Sequence, residues 1–313
     1  MKRILSIDGG GIKGVFPASF LTEIEKQTGR NIADYFDLIV GTSTGGIIAL
    51  GLGMGFSAAN ILDFYEKNSD AIFSGNRFLK CLRHLYLSKY SSEPLKNALE
   101  KTFGNRKLGE SSKRLVIPSL CLENGEVHIF KTAHNQRFMY DYKERVVDVA
   151  LATAAAPTYF PTHRLAAGTP LVDGGMWVNN PVGLAVVEAM TNLEWDRTKI
   201  QVLSVGCTST PLRVKMGRLL PLGLMYWGLK STDVFMSGQS SAALGTAQHL
   251  IGKQNVYRID PIVAHNKFGM DDIRAVPFLK GLGYTESRKS WPALQPAFFQ
   301  NPAEVFEPYF KLT

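Results

Sequence analysis

The chain has 313 residues, 45% hydrophobic and 20% charged, a mixture that supports a sizeable core and excludes a chain dominated by disorder. Its length leaves one large domain or two open. A formal charge of +8 points to a face attracted to polyanions, but no zinc-finger spacing or RNA-binding aromatic motif accompanies it, so neither DNA nor RNA is expected as a partner.

The N-terminal residues 1–7 meet Asp8 too soon to form a signal-peptide core, and no run reaches the roughly 20 apolar residues that span a bilayer. Residues 3–7 read as a strand, 8–14 as a glycine loop, and 15–26 as an amphipathic helix ended by Gly29. The unit recurs at once, with a strand at 36–40, a turn at 41–45 and a helix over 47–52. Further strands are expected at 114–120, 127–131, 171–172 and 199–205, with helices at 58–67, 93–102 and 182–193. This alternation argues for an α/β fold with a mostly parallel sheet covered by helices. Past Thr208 the texture changes to a leucine- and aromatic-rich run, a helix expected near 231–251, and a tail rich in proline and aromatics. The expected division is a catalytic core over 1–207 and an extension over 208–313, packed on the same domain as a lid, membrane-facing or regulatory segment.

Three motifs carry chemistry. Gly41-Thr42-Ser43-Thr44-Gly45 fits a nucleophile elbow, in which flanking glycines permit a sharp strand-to-helix turn that exposes the serine hydroxyl. The following helix would bring its positive end to an oxygen that becomes anionic. Asp8-Gly9-Gly10-Gly11-Ile12-Lys13-Gly14 can turn consecutive backbone amides toward one point, as an oxyanion hole requires. The same glycines satisfy a dinucleotide-binding spacing, but the second strand ends in Gly41-Thr42-Ser43 rather than at a ribose-binding acid. Asp173-Gly174-Gly175 places a carboxylate beside glycines at a strand end, although Asp-Gly is also a common turn.

Together, in this order, these motifs resemble those of the patatin-like phospholipases, as do Ala155-Ala156-Pro157-Thr158-Tyr159-Phe160-Pro161 and Asn179-Asn180-Pro181. The resemblance implies a three-layer α/β/α fold and a Ser-Asp dyad, with Ser43 attacking an acyl ester of a membrane glycerophospholipid and Asp173 taking its proton. Gly10 and Gly11 would bind the oxyanion, with Asp8, Gly9, Lys13, Gly14, Gly41, Gly45, Gly174 and Gly175 in support. No metal and no cofactor are implied. Lys13 departs from the arginine that many members carry, keeping the charge but losing the planar fork. The compact chain, Lys13 and the basic balance also resemble phospholipase effectors of bacterial anti-phage systems, which a cyclic oligonucleotide activates.

Other readings stay open. A Ser-His-Asp hydrolase of neutral or short-chain esters would draw on His249 or His265, the histidines that follow the acid, and a non-catalytic lipid- or nucleotide-binding protein would keep the fold alone. His84, His128, His134 and His163 show no metal spacing. Cys81, Cys121 and Cys207, odd in number and far apart, suggest reduced thiols and a cytosolic setting. Two cationic-apolar stretches, 77–87 and 212–230, have the composition of membrane-surface segments, which places the protein peripherally on the inner face of the cell membrane. Oligomeric state is not legible.

Overall fold

The computed structural model describes residues 1–73, 87–210, 224–264 and 268–312, with only the backbone of 224–230 and 233. The stretch 77–86, the cations Arg213, Lys215 and Arg218, and Cys81, His84 and His265 therefore lie outside the described residues. The strands are β1 Lys2–Ile7, β2 Leu38–Gly41, β3 Arg114–Cys121, β4 Val127–Lys131, β5 His163–Arg164, β6 Pro170–Asp173, β7 Ile200–Val205 and β8 Val256–Ile259. The helices are α1 Val15–Thr28, α2 Thr44–Gly53, α3 Ala58–Phe73, α4 Glu93–Phe103, α5 Val146–Thr153, α6 Gly175–Val178, α7 Val182–Thr191, α8 Leu224–Ile251 and α9 Val276–Phe298.

All eight strands form one mixed sheet ordered β5-β6-β3-β2-β1-β7-β8, with β4 paired to β3. The block β3-β2-β1-β7-β8 is parallel throughout, and β4, β5 and β6 join antiparallel. Side chains of a strand alternate between faces, and here both faces are buried. Leu5 and Ile7 of β1 and Leu203 and Val205 of β7 point into the core beneath α1, α2 and α5. Ile4, Ile200 and Val202 point into a second core beneath α7 and α8. Three layers result, as doubly covered parallel strands require.

α2 is buried along its whole length, which a helix apolar on every side demands. Its glycines lower helix propensity by about 1 kcal/mol each relative to alanine, and packing offsets this by admitting β1 and Ile61 close to the helix backbone.

Five of these elements were not expected from the sequence, namely β5, β8, α5, α6 and α9. β8 is four residues of which only Val256 is fully buried, too short and too polar to show a period. α9 runs 23 residues despite Pro292 and Pro296 inside it, although an internal proline removes a helix donor and clashes with the preceding turn. Tertiary packing holds it. Leu279, Leu294 and Phe298 are buried, Gly283 sits against Phe16, Ser19 and Phe20 of α1, and the Ser19 hydroxyl donates to the Lys280 carbonyl at 2.8 Å.

Candidate active site

β2 and β6 compete for one edge of β3. Val116 pairs with both Val40 and Lys131, and Ser119 with both Asp173 and His128. β4 therefore takes one edge, and β2 and β6 share the other from opposite ends. Running in opposite directions, the two strands meet head to head where β2 leads into Ser43 and β6 ends in Asp173. The Ser43 hydroxyl donates to Asp173 Oδ2 at 2.6 Å.

Ser43 has φ 55° and ψ −121°, a strained conformation that costs a non-glycine residue about 1–3 kcal/mol and persists only where its surroundings enforce it. They do so here: the Ser43 amide donates to Thr153 Oγ1 at 3.0 Å, and the Thr42 hydroxyl to the Val178 carbonyl at 2.7 Å. The turn is too tight for side chains on its flanks. A Cβ on Gly41 would lie 2.1 Å from the Gly45 carbonyl oxygen, and one on Gly45 would lie 2.3 Å from that of Ile7.

Asp173 is 5% exposed, and among the described residues no cation pairs with it. Burial pushes its carboxyl up to about 6, opposed by the hydrogen bonds from Ser43 and from the Gly175 amide, the latter at 2.6 Å. Such a carboxyl is ionised at neutral pH yet far more basic than an exposed aspartate, which suits it to accept a hydroxyl proton. Gly174 packs against Pro118 of β3.

The glycine loop leaves β1 beside this pair. Its ends are tied: the Asp8 amide donates to Val205 at 3.0 Å, Gly9 to the Asn179 carbonyl at 2.9 Å, and Ile12 to the Met270 carbonyl at 2.8 Å. Between them the amides of Gly10 and Gly11 have no acceptor among the described residues, and both glycines line the same cavity as Ser43. Gly14 closes the loop against Thr44, and Lys13 stands 5.9 Å from the Phe268 ring with no ion pair among the described residues.

Ser43, Asp173, Gly10 and Gly11 open into a cavity of about 570 Å³. Its lining is mainly apolar and includes Ile47, Phe64 and Ile72, Pro157 and Phe160, Met176 of α6, and Phe235 and Met236 of α8. The volume and lining suit an acyl chain. Among the described residues no histidine lines it. His249 is exposed on α8, while His134 is consumed by Glu188 at 2.9 Å in a buried group that also holds Lys131.

The model of the patatin-like phospholipase family matches residues 5–186. The chain belongs to this family. Its relatives include a cGAMP-activated phospholipase of Pseudomonas aeruginosa, 35% identical over 82% of this chain and 78% of that protein. A cGAMP-activated phospholipase of Vibrio cholerae is 39% identical over 65% of this chain and 62% of that protein. Patatin-like protein 3 of Arabidopsis thaliana is 29% identical over 89% of this chain and 78% of that protein. The aligned part thus spans less than two thirds of the Vibrio protein.

In this patatin-like phospholipase the three motifs converge within one site, but several residues of that site carried no sequence signal. Thr153, which receives the Ser43 amide and donates to the Pro118 carbonyl at 2.6 Å, lies in a segment for which the sequence offered no prediction. Met270, which takes the Ile12 amide, stands far down the chain in a polar loop. Its neighbour Asp271 is held by Lys89 and by the Tyr90 hydroxyl. Arg258 grips Asp8 from β8, and only a basic residue in an unmarked segment preceded that finding.

Proposed function

We propose that this protein hydrolyses acyl esters of membrane glycerophospholipids, with Ser43 as nucleophile and Asp173 as general base. The observation that carries this is the 2.6 Å hydrogen bond from Ser43 to a buried carboxylate that lines the same large, mainly apolar cavity. As Ser43 Oγ adds to the ester carbonyl, Asp173 takes its proton. The carbonyl oxygen becomes anionic against the Gly10 and Gly11 amides, aided by the N-terminal end of α2. Collapse expels the lysolipid alkoxide, which recovers the proton from Asp173. Water, deprotonated by Asp173, then adds to the acyl-serine, and collapse releases the fatty acid and the Ser43 alkoxide, which recovers the proton from Asp173. No cofactor enters these steps.

The base must be ionised to act. With Asp173 near 6, kcat/KM should rise about tenfold per pH unit below that value and level off above it. Initial rates on a soluble ester between pH 4.5 and 8.5 measure this. A profile flat across that range would contradict the assignment of the base.

The substrate lies in a bilayer, and no helix among the described residues is long and apolar enough to cross one. We place the membrane contact at the cavity rim, where Phe235 is 69% and Met176 52% exposed. Insertion of such side chains, with the net positive charge drawing anionic lipid, would bring the cavity mouth onto the acyl region. Phe235→Glu should weaken flotation with phosphatidylglycerol vesicles by about tenfold or more, the worth of one buried aromatic side chain. Unchanged flotation would remove this surface.

The names of the two bacterial relatives support a switch by a cyclic dinucleotide, and we extend it to this chain. Fatty-acid release from phosphatidylglycerol and phosphatidylethanolamine vesicles, with and without cGAMP, tests both parts. Release that depends on Ser43 and rises with cGAMP is expected. Ser43-dependent release indifferent to cGAMP removes the switch and keeps the hydrolase; no release in any arm removes the hydrolase reading.

A further inference from the structure

We infer that Arg258 is a positioning residue that sets the aim of the Gly10 and Gly11 amides by holding Asp8, an inference that rests on those amides receiving the oxyanion. Arg258 lies on β8, outside the stretch that the family model matches. Its guanidinium meets Asp8 in a fork, Nη1 donating to Oδ1 at 2.9 Å and Nη2 to Oδ2 at 2.6 Å. The same group also donates to Ser204 Oγ on β7 at 2.8 Å and to Asp260 Oδ2 at 3.0 Å. One cation thus joins three parallel neighbours, β1, β7 and β8, at the ends of the strands where the site is built.

Asp8 is the joint between the rigid sheet and the glycine loop. It is 4% exposed, and its backbone is fixed by the Val205 carbonyl and by Cys207, whose thiol donates to the Asp8 carbonyl at 3.3 Å. Cys207 also backs the loop, since a Cβ added to Gly10 would stand 2.5 Å from the Cys207 Cβ. The two amides in question are the second and third residues from this joint. A bidentate pair restrains a carboxylate in rotation as well as position, so the guanidinium plane orients the first residue of the loop. Burial pushes Asp8 up to about 6 against the pull of Arg258, and without its guanidinium the carboxyl would have little reason to remain ionised there.

An oxyanion hole works by donors already aimed before the reaction, and a misplacement of about 1 Å is worth up to about a hundredfold in rate. Arg258 touches neither the cavity nor the dyad, so its loss should leave substrate binding alone. For Arg258→Gln, kcat on a soluble short-chain ester is expected to fall between about 10- and 100-fold with KM within about twofold of wild type. Affinity for a trifluoromethyl ketone, whose Ser43 adduct carries the oxyanion, should fall in parallel with kcat. Arg258→Lys keeps charge without the fork and should recover only part of either loss. If Arg258→Gln does not fold, Arg258→Lys and the Arg258→Gln/Asp8→Asn pair, which leaves no unpaired Asp8 charge, carry the same comparison.

A fall in melting temperature with kcat and ketone affinity unchanged would overturn the inference and leave Arg258 as a fastening of β8. A rise in KM with kcat unchanged would overturn it as well. The parent reading fails separately, through ketone affinity that is indifferent to substitution at Gly11 itself.

Discussion

Asp173→Asn should lose ester hydrolysis and gain resistance to heat. Loss of the base is expected to lower kcat by about 10³-fold, within the usual range for a positioned general base. The gain follows from linkage. An aspartate titrates near 3.9 in the unfolded chain and near 6 here, so between those values the folded state binds more protons. The stability contributed by protonated Asp173 is full below about pH 4 and is lost as pH rises through 6. At pH 8 the buried carboxylate then costs up to about 3 kcal/mol at 1.36 kcal/mol per pKa unit. Asparagine removes that charge but replaces one of the two accepting oxygens, Oδ2 for Ser43 or Oδ1 for Gly175, with an NH2 donor, so one contact is weakened or reversed at a cost of about 1 kcal/mol. A net gain of about 2 kcal/mol at pH 8, shrinking toward zero or reversing near pH 4, is the expected pattern in thermal melts. A variant that melts well below wild type at pH 8 would show that Asp173 is not a strained catalytic group.

Gly11→Ala should lower kcat by about 10²- to 10³-fold, the effect of losing an oxyanion donor. Gly11 has φ +59°, and a Cβ there would lie 2.4 Å from the Met270 carbonyl oxygen. That carbonyl holds the Ile12 amide, so relief of the clash must move the loop or release its anchor. Gly29→Ala supplies the matched control. Gly29 has φ +68° as the left-handed cap of α1, with open space around it, so alanine there should cost about 1 kcal/mol of stability and nothing in rate. Steady-state kinetics with circular dichroism on both variants distinguishes the outcomes. Equal kcat for the two would place the oxyanion elsewhere.

The parts of the site legible in the sequence are those in which the backbone itself demands a residue type. A strand-to-helix turn around Ser43 needs small flanks, and a loop that aims amides needs glycine, so both left a mark that one sequence displays. The approach of Asp173 to Ser43 was not legible in the same sense. It depends on β6 entering antiparallel on the β3 edge that β2 vacates, a non-local pairing across 130 residues, and only the family resemblance joined the two. Arg258 was hidden for a like reason: its partner is 250 residues away, and its strand alternates too weakly to declare itself. α9 misled through Pro292 and Pro296, whose local preference is overruled by the face buried on α1. Thr153 serves through hydrogen bonds to the backbone of Ser43 and Pro118, which any polar residue at that position would leave equally unannounced.

The account turns most directly on one comparison: fatty-acid release from mixed phosphatidylglycerol and phosphatidylethanolamine vesicles, in the presence of cGAMP, by wild type and by Ser43→Ala of matched circular dichroism. A fall of about 10³-fold or more, to background, is the predicted result, since Ser43 is the cavity hydroxyl that donates to the buried Asp173 carboxylate. Release by Ser43→Ala within tenfold of wild type would contradict it.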